Sequence, residues 1–231
     1  MKERVTPWLA LPFLLCVTPS CLAQDVPAPH PDTSEAGWRD LFARDLSDAI
    51  FRPGTWKYDG ESLTASEDVE IWTREEFDDF VLDLEYRVAP GANSGIIVYA
   101  SSIEEWVPNS VEVQILDDGH ETWADAPDNW RCGSIFGHKA PDKSNLKPPG
   151  EWNSMTIRAE GPILTVVMNG EQVNAMDLRD WMSATKNPDG SDIPEWLNRP
   201  KADLPTRGHI GLQGKHGESE VWFRRMRVRR L

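Results

Sequence analysis

The segment Phe80-Val81-Leu82-Asp83-Leu84-Glu85-Tyr86-Arg87-Val88 alternates in its middle. Leu82, Leu84 and Tyr86 fall on one side, and Asp83, Glu85 and Arg87 on the other. A period of two is the signature of a strand with one face buried. Ala89-Pro90-Gly91-Ala92 then reads as a turn, and Ser94 to Ala100 (SGIIVYA) as the next strand. Val111 to Leu116 (VEVQIL) alternates again. Trp152–Ala159, Ile163–Met168, His209–Gln213 and Glu220–Arg229 extend the series. Asp59-Gly60 and Asn169-Gly170 are hairpin turns, because both pairs tolerate the left-handed backbone of a tight reversal. Helical periodicity is confined to Asp177–Ala184, where Leu178, Trp181 and Met182 share a face. Residues 185–206 are rich in Pro, Asp, Asn and Lys and read as a long loop or lid. Many short strands with regular turns predict an all-β sandwich.

The chain has 231 residues, room for one large domain. A formal net charge of −14 argues against nucleic acid, whose phosphates need clustered Lys and Arg, and against anionic lipid. The 11 Trp residues can build a core, but flat rings also stack on sugar faces.

Residues 1–23 read as a secretory signal peptide. Lys2 and Arg4 precede the apolar run Trp8–Val17, which is too short to span a bilayer. Cys21-Leu22-Ala23 offers a cleavage site before Gln24. The expectation is an exported protein, periplasmic or secreted. A lipoprotein acylated at Cys21 is the weaker alternative, because Thr18-Pro19-Ser20 is a poor lipobox. Residues 24–36 (QDVPAPHPDTSEA) read as a flexible, Pro-rich linker, and residues 37–231 as a single domain. Cys132 is then the one cysteine left. It has no partner for a disulfide and reads as a buried thiol.

A set of short motifs occurs in order: Trp38-Arg39-Asp40-Leu41-Phe42 with Asp45-Leu46-Ser47, Asn93-Ser94-Gly95-Ile96, Glu112-Val113-Gln114-Ile115-Leu116-Asp117, Gly150-Glu151-Trp152-Asn153, Asn169-Gly170, and Gly211-Leu212-Gln213 with His216-Gly217. This series resembles the 3-keto-disaccharide hydrolase family, formerly a domain of unknown function, over residues 37–231. The resemblance implies a concanavalin A-like lectin/glucanase jelly-roll sandwich of two antiparallel sheets. It implies 3-keto-α-glucoside 1,2-lyase or 3-keto-2-hydroxy-glucal hydratase activity, beside a sugar 3-dehydrogenase that makes the ketone. Tyr99, Phe136 and Arg225 stand where many relatives have Arg, Tyr and Asn.

A ketone at C3 acidifies the C2 hydrogen, so the glycosidic bond breaks by elimination and water adds back. Such chemistry needs a base near C2, donors at the C3 oxygen and an acid at the leaving oxygen. Glu112 and Gln114, at i and i+2, share a strand face, with Val113 and Ile115 turned inward. Glu112 is the expected base or acid, with His216 and His138 as further catalytic candidates. Gln114, Asn93, Gln213, Tyr99 and Lys215 are the expected substrate contacts. Asp117-Asp118-Gly119-His120 could hold a divalent metal but reads better as a turn. No zinc spacing, dinucleotide loop or nucleophile elbow appears, so no cofactor or metal is expected. A non-catalytic carbohydrate-binding module is the alternative. A conventional retaining glycosidase needs a second carboxylate, and Gln114 holds that place on the strand.

Overall fold

The computed structural model describes residues 30–217 and 219–231. The leader read at residues 1–23, the Cys21 alternative and residues 24–29 of the linker lie outside them. Thirteen strands follow in order: β1 (Arg39–Asp40), β2 (Ala49–Phe51), β3 (Trp56–Asp59), β4 (Ser62–Ala65), β5 (Ile71–Phe77), β6 (Phe80–Val88), β7 (Asn93–Ala100), β8 (Val111–Leu116), β9 (Asn153–Glu160), β10 (Ile163–Met168), β11 (Glu171–Asp177), β12 (Gly208–Leu212) and β13 (Val221–Arg230). They form two antiparallel sheets. One runs β11-β10-β9-β6-β13-β4-β3, with β1 beside β13, and the other runs β2-β5-β12-β7-β8.

The alternation read in the sequence decides which face is which. Leu82, Leu84 and Tyr86 of β6 point into the core, while Asp83, Glu85 and Arg87 stay half-buried on the outer face. From the other sheet Ile96, Val98, Val111, Val113 and Ile115 meet them in one apolar cluster. Fully burying side chains of this size stabilises the fold by roughly 1.5–3 kcal/mol each. The outer face is held differently: the Arg87 guanidinium lies between the rings of Trp152 and Trp222, 4.9 and 4.5 Å from their centroids.

Both predicted hairpins form, β3–β4 at Asp59-Gly60 and β10–β11 at Asn169-Gly170. Residues 177–184 do not form a helix. A single 3-10 turn, Leu178–Asp180, buries Leu178, and Trp181 then points inward. The 185–206 stretch is pinned rather than free. Ile193, Leu197 and Leu204 join the core, and the Asn187 side-chain amide donates to Gly137 O (3.1 Å). The last part of the linker is also laid on the protein. Gly170 N–H donates to His30 Nε2 (2.9 Å), and His30 Nδ1 lies 2.7 Å from Thr156 Oγ1. Among the described residues no helix is long and apolar enough to cross a membrane.

One expected contact residue is misplaced by simple alternation. Counting from Gly95 and Ile97, Tyr99 should face outward. The β7–β12 pairing passes from Ile97↔Gly211 to Ala100↔His209, so β7 carries one extra residue. Tyr99 is that bulge, with φ at 55°. It turns into the core, packs edge-on against Phe80 and donates its hydroxyl to Gly161 O (2.8 Å). Tyr99 is therefore a strut between the sheets and not a ligand contact. Replacing Tyr99 by Phe removes that one hydrogen bond and should lower the unfolding free energy by about 1 kcal/mol in a urea titration. An unchanged midpoint and slope would contradict the role.

Candidate active site

The face of β8 opposite Val113 and Ile115 carries Glu112 and Gln114, as the spacing predicts. They line a cleft of about 450 Å³ on the outside of the five-stranded sheet. Gly95 on β7 makes room for the acid. A Cβ there would sit 2.1 Å from Glu112 Oε1, so the side chain lies across bare backbone. Gln114 Nε2 donates to Asn93 Oδ1 (3.0 Å), which ties two expected contacts together. After β12 the chain continues along β7: Gln213 N–H donates to Gly95 O and His216 N–H to Asn93 O. That pairing delivers Gln213 and His216 to the same cleft. Gln213 Oε1 is buried with no protein partner among the described residues. Lys215, between them, does not line the cleft: Gln213 and His216 are three residues apart but pair with Gly95 and Asn93, two apart, so simple alternation does not hold along this stretch.

His138 is not there either. Residues 133–136 pair along the edge of β8, with Gly133 N–H to Gln114 O and Phe136 N–H to Glu112 O (both 2.9 Å). Phe136 faces the cleft. His138 lines a separate hollow with Trp181 and Asn187, and its Nδ1 lies 2.7 Å from Phe136 O. Burial, and next the Lys201 charge, push its imidazole down to about 4, so it is neutral near pH 7. Asp117 and Asp118 act as turn acceptors: Asp117 takes the Gly91 N–H (2.8 Å) and Asp118 the Cys132 N–H (2.9 Å).

The structure adds residues that spacing could not reveal. Asp68 and Glu70, just ahead of β5, face the cleft. His216 Nδ1 lies 2.7 Å from Asp68 Oδ2. With the carboxylate accepting from Nδ1–H, Nε2 is the ring nitrogen left free to meet a substrate. Burial, followed by the neighbouring Glu70 carboxylate, pushes the Glu112 carboxyl up to about 8, against the pull of the Lys201 ammonium. Burial also raises Glu70, and the Trp106 indole N–H opposes that rise. The cleft thus holds a carboxyl that keeps its proton at neutral pH beside an imidazole oriented by a carboxylate.

Its walls are aromatic. Trp106, Trp123 and Trp130 come from two loops, and Trp196 from the pinned 185–206 stretch. Trp130 packs against Phe136 (centroids 5.2 Å apart) and Trp196 (6.2 Å), and Trp196 remains 53% exposed. Flat apolar walls over a floor of amides and carboxyls suit a sugar.

Residues 37–229 match the family of 3-keto-alpha-glucoside-1,2-lyase-like domains. The chain belongs to this family. A relative in Bacteroides thetaiotaomicron, named 3-keto-disaccharide hydrolase, is 29% identical over 219 residues, covering 84% of this chain and 74% of its own. A crystal structure from Parabacteroides distasonis, solved under a glycosyl hydrolase designation, is 46% identical with a TM-score of 0.82, covering 84% of this chain and 99% of its own. A Bacillus subtilis protein with a galectin-like fold has a TM-score of 0.55 at 12% identity, covering 84% and 94%. That likeness concerns the fold alone and agrees with the expected jelly-roll sandwich.

The seat of Glu112 over Gly95 is testable within this family member. Gly95→Ala should expel the carboxyl toward water while the sheet persists. In a ¹³C-carboxyl NMR titration the Glu112 midpoint should then fall from about 8 toward the ordinary carboxylate range. A titration identical to wild type would show that Gly95 does not seat the acid.

Proposed function

We propose that this chain cleaves 3-keto-glycosides, 3-keto-disaccharides among them, by elimination followed by hydration. The observation that carries the reading is the meeting, in one aromatic-walled cleft, of Glu112, whose carboxyl burial pushes up to about 8, with the His216–Asp68 dyad. Family membership and the Bacteroides relative's name support the substrate class. His216 Nε2 takes the C2 proton, and the electron pair of that C–H bond delocalises onto the C3 oxygen as an enolate. Amide N–H groups of Asn93, Gln114 or Gln213 meet the developing charge. When the ketone re-forms, C1=C2 becomes double and the C1–O bond breaks. Glu112 protonates the departing oxygen. Water then adds across C1=C2, with hydroxyl to C1 and hydrogen to C2, and the net result is hydrolysis. Asp68 holds the imidazolium that forms. The ketone must come from an oxidoreductase acting beforehand, and the residue 1–23 leader would put the reaction outside the cytoplasm.

The test compares a 3-keto-glucoside with its unoxidised counterpart in deuterium oxide. Release from the keto sugar alone, with deuterium at C2 of the product above an enzyme-free control, is the expected result. Cleavage of the unoxidised glucoside would instead make Glu112 and Glu70 the carboxyl pair of a conventional glycosidase. Binding of both sugars without turnover would leave a carbohydrate-binding module.

Leaving groups separate the two catalytic roles. A sugar alkoxide needs an acid, whereas p-nitrophenolate departs unprotonated. Glu112→Gln should therefore cost about 10²–10⁴-fold with a sugar leaving group and far less with p-nitrophenol. His216→Ala should lose activity on both. Equal losses in Glu112→Gln on the two substrates would remove Glu112 from the acid role.

A further inference from the structure

Lys201 is 2% exposed, a rare state for an ammonium group, which loses strong hydration when buried. It comes from the 3-10 turn Lys201–Asp203 at the end of the pinned stretch that carries Trp196. Its Nζ donates to Ser110 O (2.8 Å) and, more weakly, to Pro108 O (3.4 Å). These carbonyls lie in the turn that bears Trp106 and one residue ahead of β8, two before Glu112. Arg199 crosses the same gap, donating from Nη1 to Asn109 Oδ1 (2.5 Å). Leu197 and Leu204 anchor both sides of the segment in the core.

We propose that Lys201 is a positioning residue for Glu112: it straps the Trp196 wall to the start of β8 and sets a buried positive charge behind the acid. This rests on Glu112 acting as the acid, and it names a regulator of that same group. A packed apolar side chain could join two loops without the cost of burying an amine. What an ammonium adds is charge, and Glu112 is where that charge is felt. Burial, then the Arg199 charge, pushes the Lys201 amine down to about 8 against the pull of Glu112, while burial, Glu70 and Asp68 raise the Glu112 carboxyl and Lys201 lowers it. Neutral His138 feels the same ammonium from the far side.

An acid works while protonated, so turnover with a sugar leaving group falls as pH rises through the Glu112 midpoint, about 8 in the wild type. Removing the Lys201 charge raises that midpoint. Lys201→Met and Lys201→Gln should both move the basic limb of kcat to higher pH, with a lower plateau and little change in KM. The Gln variant retains an N–H for Ser110 O, and so separates charge from hydrogen bond if Met disturbs folding. Lys201→Arg, which stays charged above the pH of about 8 at which Lys201 itself loses its proton, should leave the limb in place or move it to lower pH. Thermal melts check that each variant is folded.

A second readout needs no turnover. With ¹³C-labelled glutamate, the resonance missing in Glu112→Gln identifies residue 112, and its titration is followed in the full-length variants. A midpoint shifted upward in Lys201→Gln and not shifted upward in Lys201→Arg is the expected result. An unshifted midpoint in Lys201→Gln overturns the proposal even if the wild type cleaves 3-keto-glycosides. A wild type that cleaves nothing would refute the function while this titration still decided the role of Lys201.

Discussion

The raised carboxyl of Glu112 depends on the hydration lost at the floor of the cleft, where the side chain is half-buried, and the neighbouring charges act on top of that loss. Glu112 lies flat over the backbone of Gly95, where no side chain could coexist with it. Glu70 adds like charge from the next wall, and Lys201 restrains the rise from behind. Burial dominates, because the charged form loses hydration that no nearby group fully replaces. The sheet beneath is rigid for the same reason that the face is exposed: alternation sends Val111, Val113 and Ile115 to the core and leaves Glu112 and Gln114 outside.

The dyad follows the opposite rule. His216 and Asp68 are about half-exposed and meet from two connections, one ahead of β5 and one after β12. There the partner orients the imidazole and water remains available, as a base that must recycle its proton needs. Two titratable groups in one cleft thus have different environments, which permits acid and base to work side by side. The aromatic walls add area and orientation. They are fixed by core anchors and by the Lys201 and Arg199 straps, so the site is largely formed before a ligand arrives.

What the sequence made legible was whatever depends on local period. The β6 and β8 alternations, the two Asp-Gly and Asn-Gly hairpins and the shared face of Glu112 and Gln114 all follow from spacing of one or two residues. Tyr99 escaped because one extra residue in β7 reverses every later side chain, and a single left-handed φ is not written in composition. Arg225 marks a second such bulge in β13, also at positive φ, a place that suits Asn better than Arg. His138 was misjudged because the chain reverses between Ile135 and Lys139, with Gly137 at positive φ, and the reversal carries the imidazole away from the cleft that Phe136 faces. Asp68, Glu70, Lys201 and the four Trp residues stand far apart in the chain, and only the sheet topology gathers them.

Catalysis by this cleft depends on how the sugar lies in it, and a crystal structure of the Glu112→Gln variant with an intact 3-keto-glycoside would show that orientation. The keto ring should lie on the floor of the cleft, with C2 facing His216 Nε2, the C1 oxygen at residue 112 and the leaving group toward the tryptophan wall. A sugar bound in another hollow, or one whose C2 faces away from His216, would contradict the proposed chemistry.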